Sequence, residues 1–254
     1  MTQSTDNYSA TAAEQAISDN LYGVHQQISA CSLAYGRDPD TVKLLAVSKT
    51  KPLHDIEVAL AAGQADLGEN YLQEALEKIQ SLAASKDQHP DWNPVWHYIG
   101  AIQSNKTRPI AEHFDWVHTV ASSKVASRLS SQRPANLAPL NVLIQVNIDA
   151  EDSKAGVSAE ALLPLIEAIM PLPNLVLRGL MAIPSTAQDL DTQRRPFKQL
   201  RELLLQARQT YGEDLAAFDQ LSMGMSGDME AAIAEGSTWV RIGTSIFGAR
   251  PSQG

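Results

Sequence analysis

The sequence is poor in cysteine, in basic residues and in long apolar runs, and each shortage excludes a class of protein. A single cysteine, Cys31, cannot form an internal disulfide and has no second cysteine at a metal-ligand spacing, which favours a reducing, cytoplasmic setting. Lys and Arg number 20 against 29 Asp and Glu, so the net charge of −9 opposes nucleic acid and anionic lipid surfaces. No apolar run approaches the roughly 18 residues of a spanning helix, so neither nucleic acid nor a membrane is an expected partner.

The histidine motifs of metal sites are missing as well. The chain has 6 histidines, but none forms an HxH or HExxH motif or pairs with carboxylates at a ligand spacing. We therefore expect no metal site.

The sequence does contain a regular alternation of short apolar runs with longer segments of helical periodicity, which is typical of parallel βαβ units. The predicted strands cover residues 42–48, 65–69, 95–100, 116–120, 140–148, 175–183, 220–224 and 239–243. Eight such units without a dividing linker predict a single (β/α)8 TIM barrel over residues 15–254, with a disordered tail over residues 1–14. A doubly wound open sheet is the alternative.

In such a barrel, chemistry gathers at the C-terminal ends of the strands. Lys49 follows the first predicted strand, where partial desolvation would make its amine a nucleophile toward carbonyl groups. The segments SMGMSGD (residues 222–228) and GTS (residues 243–245) follow the last two strands and offer backbone N–H groups to an anion. Because barrels commonly build a phosphate site from these two loops, we predict one here.

An arginine completes the set of candidate binding groups. Arg241 lies within the eighth predicted strand between Val240 and Ile242, where a charge is costly unless it is paired. A Schiff-base lysine, a phosphate site and an arginine together suggest pyridoxal 5′-phosphate (PLP), which carries an aldehyde and a phosphate on one ring. A Schiff-base aldolase acting on phosphosugars is an alternative that leaves Arg241 less well explained.

Several segments resemble those of the pyridoxal phosphate homeostasis proteins, the YggS/PROSC family. They are LLAVSKTKP, LGENYLQEALEK, WHYIGAIQSNK, HTVASSKVASRL, NVLIQVNIDAEDSKAGV, LRGLMAIP and LSMGMSGDMEAAIAEGSTWVRIGTSIFGAR. The resemblance covers most of the chain and implies a barrel like the N-terminal domain of alanine racemase. It also implies covalent PLP binding and a part in intracellular vitamin B6 homeostasis.

The same resemblance implies roles for individual residues. Lys49 would hold PLP covalently as an aldimine, and Arg241 would lie near the pyridine nitrogen, with a contact to phosphate as the alternative. The phosphate would be held by Ser222, Ser226, Gly243 and Thr244, and the pocket would be lined by Asn70, His97 and Met181.

We expect a carrier or buffer of PLP rather than an enzyme, so no catalytic residue is assigned. An arginine cannot accept the proton that would make the pyridine ring a strong electron sink, and one lysine serves only one face of a substrate. The chain is also too short for the second domain of alanine racemase, which favours a monomer. The alternative is a low-activity PLP-dependent amino-acid racemase or lyase.

A last expectation concerns cofactor exchange. PLP-dependent apo-enzymes are the expected partners that would receive PLP. Lys154, in the loop after the fifth predicted strand, would lie at the rim of the pocket and assist this exchange, although a solvated loop lysine is an equally good interpretation.

Overall fold

A computed structural model describes residues 11–151 and 154–249 of the chain. Within these residues, eight parallel strands pair in chain order and close into a barrel. The strands are β1 Lys43–Val47, β2 Asp66–Glu69, β3 Val95–Tyr98, β4 Trp116–Val120, β5 Leu140–Gln145, β6 Leu175–Met181, β7 Gln220–Ser222 and β8 Trp239–Ile242. Each lies inside a predicted segment, so the predicted (β/α)8 barrel is confirmed and the open sheet is wrong.

Helices alternate with the strands on the outside of the barrel. They are α1 Ala12–Ala34, α2 Leu53–Ala61, α3 Leu72–Ala84, α4 Thr107–His113, α5 Ser123–Gln132, α6 Ala159–Ile169, α7 Leu190–Tyr211, α8 Met229–Ala234 and α9 Thr244–Phe247. Of the predicted tail over residues 1–14, residues 1–10 lie outside the described residues. Thr11 caps α1 in a reciprocal pair of hydrogen bonds with Glu14, so the helix starts before the predicted boundary.

The apolar residues form two layers because successive side chains of a strand point to opposite faces of the sheet. Leu44 and Ala46 of β1 pack in the outer layer, between sheet and helices, whereas Leu45 points into the barrel. This two-sided burial explains why the strands appear in the sequence as continuous apolar runs. The inner layer is made of Leu45, Ile99, Trp116, Leu143, Met181 and Trp239.

A bulge interrupts the pairing of β5 with β6. Val142 pairs with Leu177 but Leu143 pairs with Gly179, so Arg178 is an extra residue in β6. Gly179 has φ +150°, and a Cβ atom there would lie 1.9 Å from the carbonyl oxygen of Gln220 on β7. Only glycine fits at this point of the barrel wall.

In the part of the chain that the structure describes, no helix combines the length and the apolarity needed to cross a membrane.

Candidate functional site

A cavity of about 360 Å³ opens at the C-terminal ends of the strands, which is the end of the barrel predicted to carry chemistry. Its size suits a small-molecule ligand. The lining residues are Val47, Lys49, Asn70, Ile99, Met181, Ile183, Met225, Ser226, Gly227, Arg241, Gly243 and Thr244. The structure thus brings together all of the predicted site residues except His97 and Ser222.

His97 and Ser222 do not line this cavity but lie beneath it, in the closed interior of the barrel, so the pocket-lining role of His97 and the phosphate-binding role of Ser222 stay predictions. Both are fully buried. The ring nitrogens of His97 contact Asp66 and His118, and the Ser222 hydroxyl contacts His118 and Arg241. His97 points inward one layer below Ile99, which has the same orientation two residues later and does line the cavity.

Two loops at the cavity present unbonded amide groups. The backbone N–H groups of Ser226, Gly227 and Thr244 donate to no acceptor among the described residues. The loops are joined by a hydrogen bond of 3.0 Å from the Ser245 hydroxyl to that of Ser226. Because N–H groups without a protein acceptor attract anions, these loops provide a site for a phosphate group.

Arg241 places a buried cation in the cavity wall. Its guanidinium donates from Nη1 to the Ser222 hydroxyl at 2.9 Å and from Nη2 to the Ala182 carbonyl at 3.0 Å. No carboxylate among the described residues forms an ion pair with it. Burial lowers the pKa of Arg241 to about 10, and Asp228 opposes this shift. A buried cation paired only with neutral groups favours a ligand that is anionic or accepts hydrogen bonds.

Asn70 supplies a second unsatisfied group. Its Nδ2 is 3.5 Å from the Ile99 carbonyl oxygen, whereas its buried Oδ1 has no hydrogen-bond partner in the described part of the chain. Since buried polar atoms are nearly always paired in proteins, Oδ1 is suited to accept a hydrogen bond from a ligand.

A buried ion-pair cluster anchors the backbone on both sides of Lys49, and sequence reasoning missed it. Lys78 Nζ donates to the Ser48 carbonyl at 2.9 Å and to Glu69 Oε1 at 2.8 Å, and also pairs with Glu74. The Thr50 amide donates to Glu74 Oε1 at 2.6 Å, which holds this residue at a left-handed φ of +62°. The cluster therefore fixes the direction in which the chain leaves β1.

Replacing Lys78 by methionine is expected to lower the free energy of unfolding by about 3 kcal/mol, because Glu69 would be left as a buried charge without a cation. Burial already raises the pKa of Glu69, and Lys78 offsets that effect. Urea unfolding measures the loss, with Lys124→Met on the exposed start of α5 as the control. A second substitution, Glu69→Leu, should restore part of the stability. A loss no larger than that of the control would show that the pair is dispensable.

The two histidines of the barrel interior are held in their neutral form. Burial lowers the pKa of His97, although hydrogen bonding to Asp66 opposes the shift. The pKa of His118 falls well below 6.5, chiefly through burial, with further lowering by His97 and Arg241. In the unfolded chain both rings would titrate near the ordinary value, so the unfolded state binds more protons below pH 6.5.

Stability is therefore expected to fall as the pH decreases below 6.5, by about 1.4 kcal/mol per pH unit for each histidine that stays neutral in the fold. The variant His118→Gln should show a shallower decrease than the wild type over this range, whereas His25→Gln on the exposed face of α1 should match the wild type. Urea unfolding at several pH values measures these slopes. Equal slopes for all three proteins would contradict neutral burial of His118.

Comparison with known proteins relates this geometry to a family. The family model described as "Alanine racemase, N-terminal domain" matches residues 32–251. A pyridoxal phosphate homeostasis protein of Pseudomonas aeruginosa is 56% identical over 234 residues, which cover 92% of this chain and 96% of the relative. The chain belongs to the pyridoxal phosphate homeostasis protein family. A family member from Vibrio cholerae is 52% identical over 93% of this chain and 97% of its own length.

Three solved structures are similar to this chain. PipY of Synechococcus elongatus, solved with PLP bound, is 34% identical with a TM-score of 0.77 and covers 91% of this chain and 100% of its own. An unknown protein from Bifidobacterium adolescentis is 33% identical with a TM-score of 0.86, covering 94% of this chain and 97% of its own. Alanine racemase from Corynebacterium glutamicum, at 17% identity and a TM-score of 0.64, shares the fold.

Proposed function

We propose that this protein binds PLP covalently through Lys49 and acts as an intracellular carrier or buffer of the cofactor. The observation that carries the proposal is the single cavity that joins a lysine side chain to the unbonded N–H groups of two loops. The names of the relatives and the PLP bound to PipY support the same ligand.

The cavity residues fit the chemical groups of PLP. When bound, PLP supplies an aldehyde with which a lysine amine condenses to a C=N bond, releasing one water. Lys49 would provide this amine, and Ser226, Gly227, Gly243 and Thr244 would hold the phosphate.

The other cavity residues would contact the ring. Arg241 would donate to the pyridine nitrogen, with the phosphate as its alternative acceptor. Asn70 would accept a hydrogen bond through Oδ1, and Met181 would pack against the ligand.

The titratable side chains of the cavity support a carrier without turnover. Among the described lining residues, only Lys49 and Arg241 carry such groups. An arginine keeps its own proton and does not protonate the pyridine nitrogen, and no second acid or base stands ready for the other face of a substrate. This set of groups favours holding PLP over converting amino acids.

Addition of PLP to the purified protein tests the proposal. We expect a visible absorbance band that borohydride bleaches, no racemisation or elimination of amino acids, and transfer of PLP to an apo-enzyme. A protein that gains no such band does not hold PLP through a lysine. A protein that shows the absorbance band but also racemises or cleaves amino acids would instead be a low-activity PLP enzyme.

Replacing Lys154 by alanine is expected to slow the transfer of PLP to an apo-enzyme. Lys154 contacts Asp149 and Ser185 at the rim, and a hydrogen bond to Asp149 raises its pKa, which keeps the amine charged. It lines a groove with Ile183, a residue that also lines the main cavity. The control is Lys124→Ala. Transfer at the wild-type rate would leave Lys154 with no part in the exchange.

A further inference from the structure

A row of hydrogen-bonded side chains crosses the barrel interior from its N-terminal end to the cavity. Asp66 Oδ1 lies 3.0 Å from His97 Nε2, and His97 Nδ1 lies 2.9 Å from His118 Nε2. His118 Nδ1 lies 2.8 Å from the Ser222 hydroxyl, which lies 2.9 Å from Arg241 Nη1. We call these five side chains the interior row.

The middle of the interior row is sealed from solvent. His97, His118 and Ser222 have 0% exposure, whereas the Asp66 side chain at the N-terminal end retains 28%. Trp116 stacks on His97 with ring centroids 5.5 Å apart, and Trp239 meets the same ring edge-on at 4.9 Å. Because the tryptophans surround the rings, the polar atoms of the row satisfy one another rather than bonding to bulk water.

The chemistry of the two ends determines where each hydrogen lies. A carboxylate only accepts and a guanidinium only donates, so Asp66 must receive a hydrogen from His97 Nε2 and Ser222 must receive one from Arg241. His97 Nδ1 is then an acceptor for the Nε2–H of His118. His118 Nδ1 in turn accepts the hydroxyl hydrogen of Ser222. Every contact in the row then joins one donor to one acceptor, with both histidines neutral.

The reverse arrangement fails at both ends. At one end, a His97 Nε2 without a hydrogen would face the Asp66 carboxylate. At the other end, the Ser222 hydroxyl would receive hydrogens from both His118 and Arg241, and its own hydrogen would have no acceptor within the row. The lowered pKa values of both histidines agree with the neutral state that the forward arrangement requires.

We propose that Asp66, His97 and His118 are positioning residues for Arg241. The Asp66 carboxylate sets the tautomers of both histidines. As a result, the Ser222 hydroxyl directs a lone pair toward the Arg241 guanidinium and holds that group in the cavity wall. The effect on the ligand rests on the proposed PLP function. The hydrogen arrangement within the row does not, since it involves side chains of this chain alone.

Histidine-labelled ¹⁵N NMR of the full-length protein tests the arrangement without PLP. His97 and His118 should both be neutral and carry their hydrogen on Nε2. A hydrogen on Nδ1 of either ring, or a charged ring at neutral pH, would overturn the proposal.

Variants of Asp66 test whether its carboxylate sets the tautomers. In Asp66→Ala the His97 ring should populate both tautomers. Asp66→Asn keeps an acceptor oxygen and should restore the wild-type tautomer. A wild-type tautomer in Asp66→Ala would also overturn the proposal.

A double-mutant cycle with PLP as the probe tests the connection to Arg241. Asp66→Ala should weaken PLP binding about tenfold, by analogy with the loss seen when a hydrogen-bond partner behind a metal-binding side chain is removed. In a Ser222→Ala background the same substitution should have no further effect, because the row is already interrupted. Effects that simply add, or no effect of Asp66→Ala, would contradict the positioning role. If the wild type binds no PLP, the proposed function fails while the NMR result still decides the arrangement.

Discussion

Replacing Lys49 by alanine is expected to give a folded barrel that forms no covalent adduct with PLP. Lys49 follows the end of β1, is only partly buried, and is the one lysine among the described residues that line the cavity. Its removal therefore takes away the amine while leaving the phosphate loops and Arg241 in place. The measurement is the visible absorbance band of the PLP-loaded protein, together with its intact mass after borohydride reduction.

The matched control is Lys198→Ala, which removes an exposed lysine from the outer helix α7. This variant should keep the full absorbance band. Lys51 is close to Lys49 in sequence, but its amine donates to the carbonyl oxygens of Phe247, Gly248 and Ala249 and is poorly placed to substitute. An undiminished adduct in Lys49→Ala would mean that another amine holds the cofactor.

Replacing Gly179 by alanine is expected to lower the free energy of unfolding by about 4 kcal/mol or more, a large part of the stability of a typical domain. The new Cβ would lie 1.9 Å from the Gln220 carbonyl oxygen, and φ there is +150°. Strain at such a backbone position and the forced separation of β6 from β7 both add to the loss. Thermal or urea unfolding measures it.

Gly23→Ala is the control for this substitution. Gly23 lies in α1, and a Cβ atom there would meet nothing within 4 Å. Because alanine is the better helix former, this variant should be as stable as the wild type or slightly more stable. If Gly179→Ala unfolded at the same urea concentration as Gly23→Ala, the close contact between β6 and β7 would not exist as described.

The fold was predictable because each strand of a closed parallel barrel is buried on both faces. The resulting apolar runs, such as LLAV in β1, are easy to recognise between helical segments. Chain order then gives strand order, and the C-terminal ends of the strands locate the site. Lys49 and the loops around Ser226 and Thr244 could be found in this way, since they directly follow strands.

The features of the site that the sequence does not reveal have a common physical cause. Sequence position along a strand does not reveal depth within the barrel, so His97 and Ser222 were expected at the cavity although they lie beneath it. The ion-pair cluster beside Lys49 depends on contacts between separate elements, which the sequence does not show directly. One signal of a buried lysine was present, because Lys78 lies on the same face of α3 as the buried Ala75 and Leu82. A monomeric state and a cytoplasmic location stay predictions.

The most direct test of covalent PLP binding at Lys49 is peptide mapping of the PLP-loaded protein after borohydride reduction. Mass spectrometry should find one reduced PLP group per chain, on the peptide that contains Lys49. An unmodified Lys49 peptide, or an adduct distributed over surface lysines, would contradict the proposal that this cavity holds PLP through Lys49.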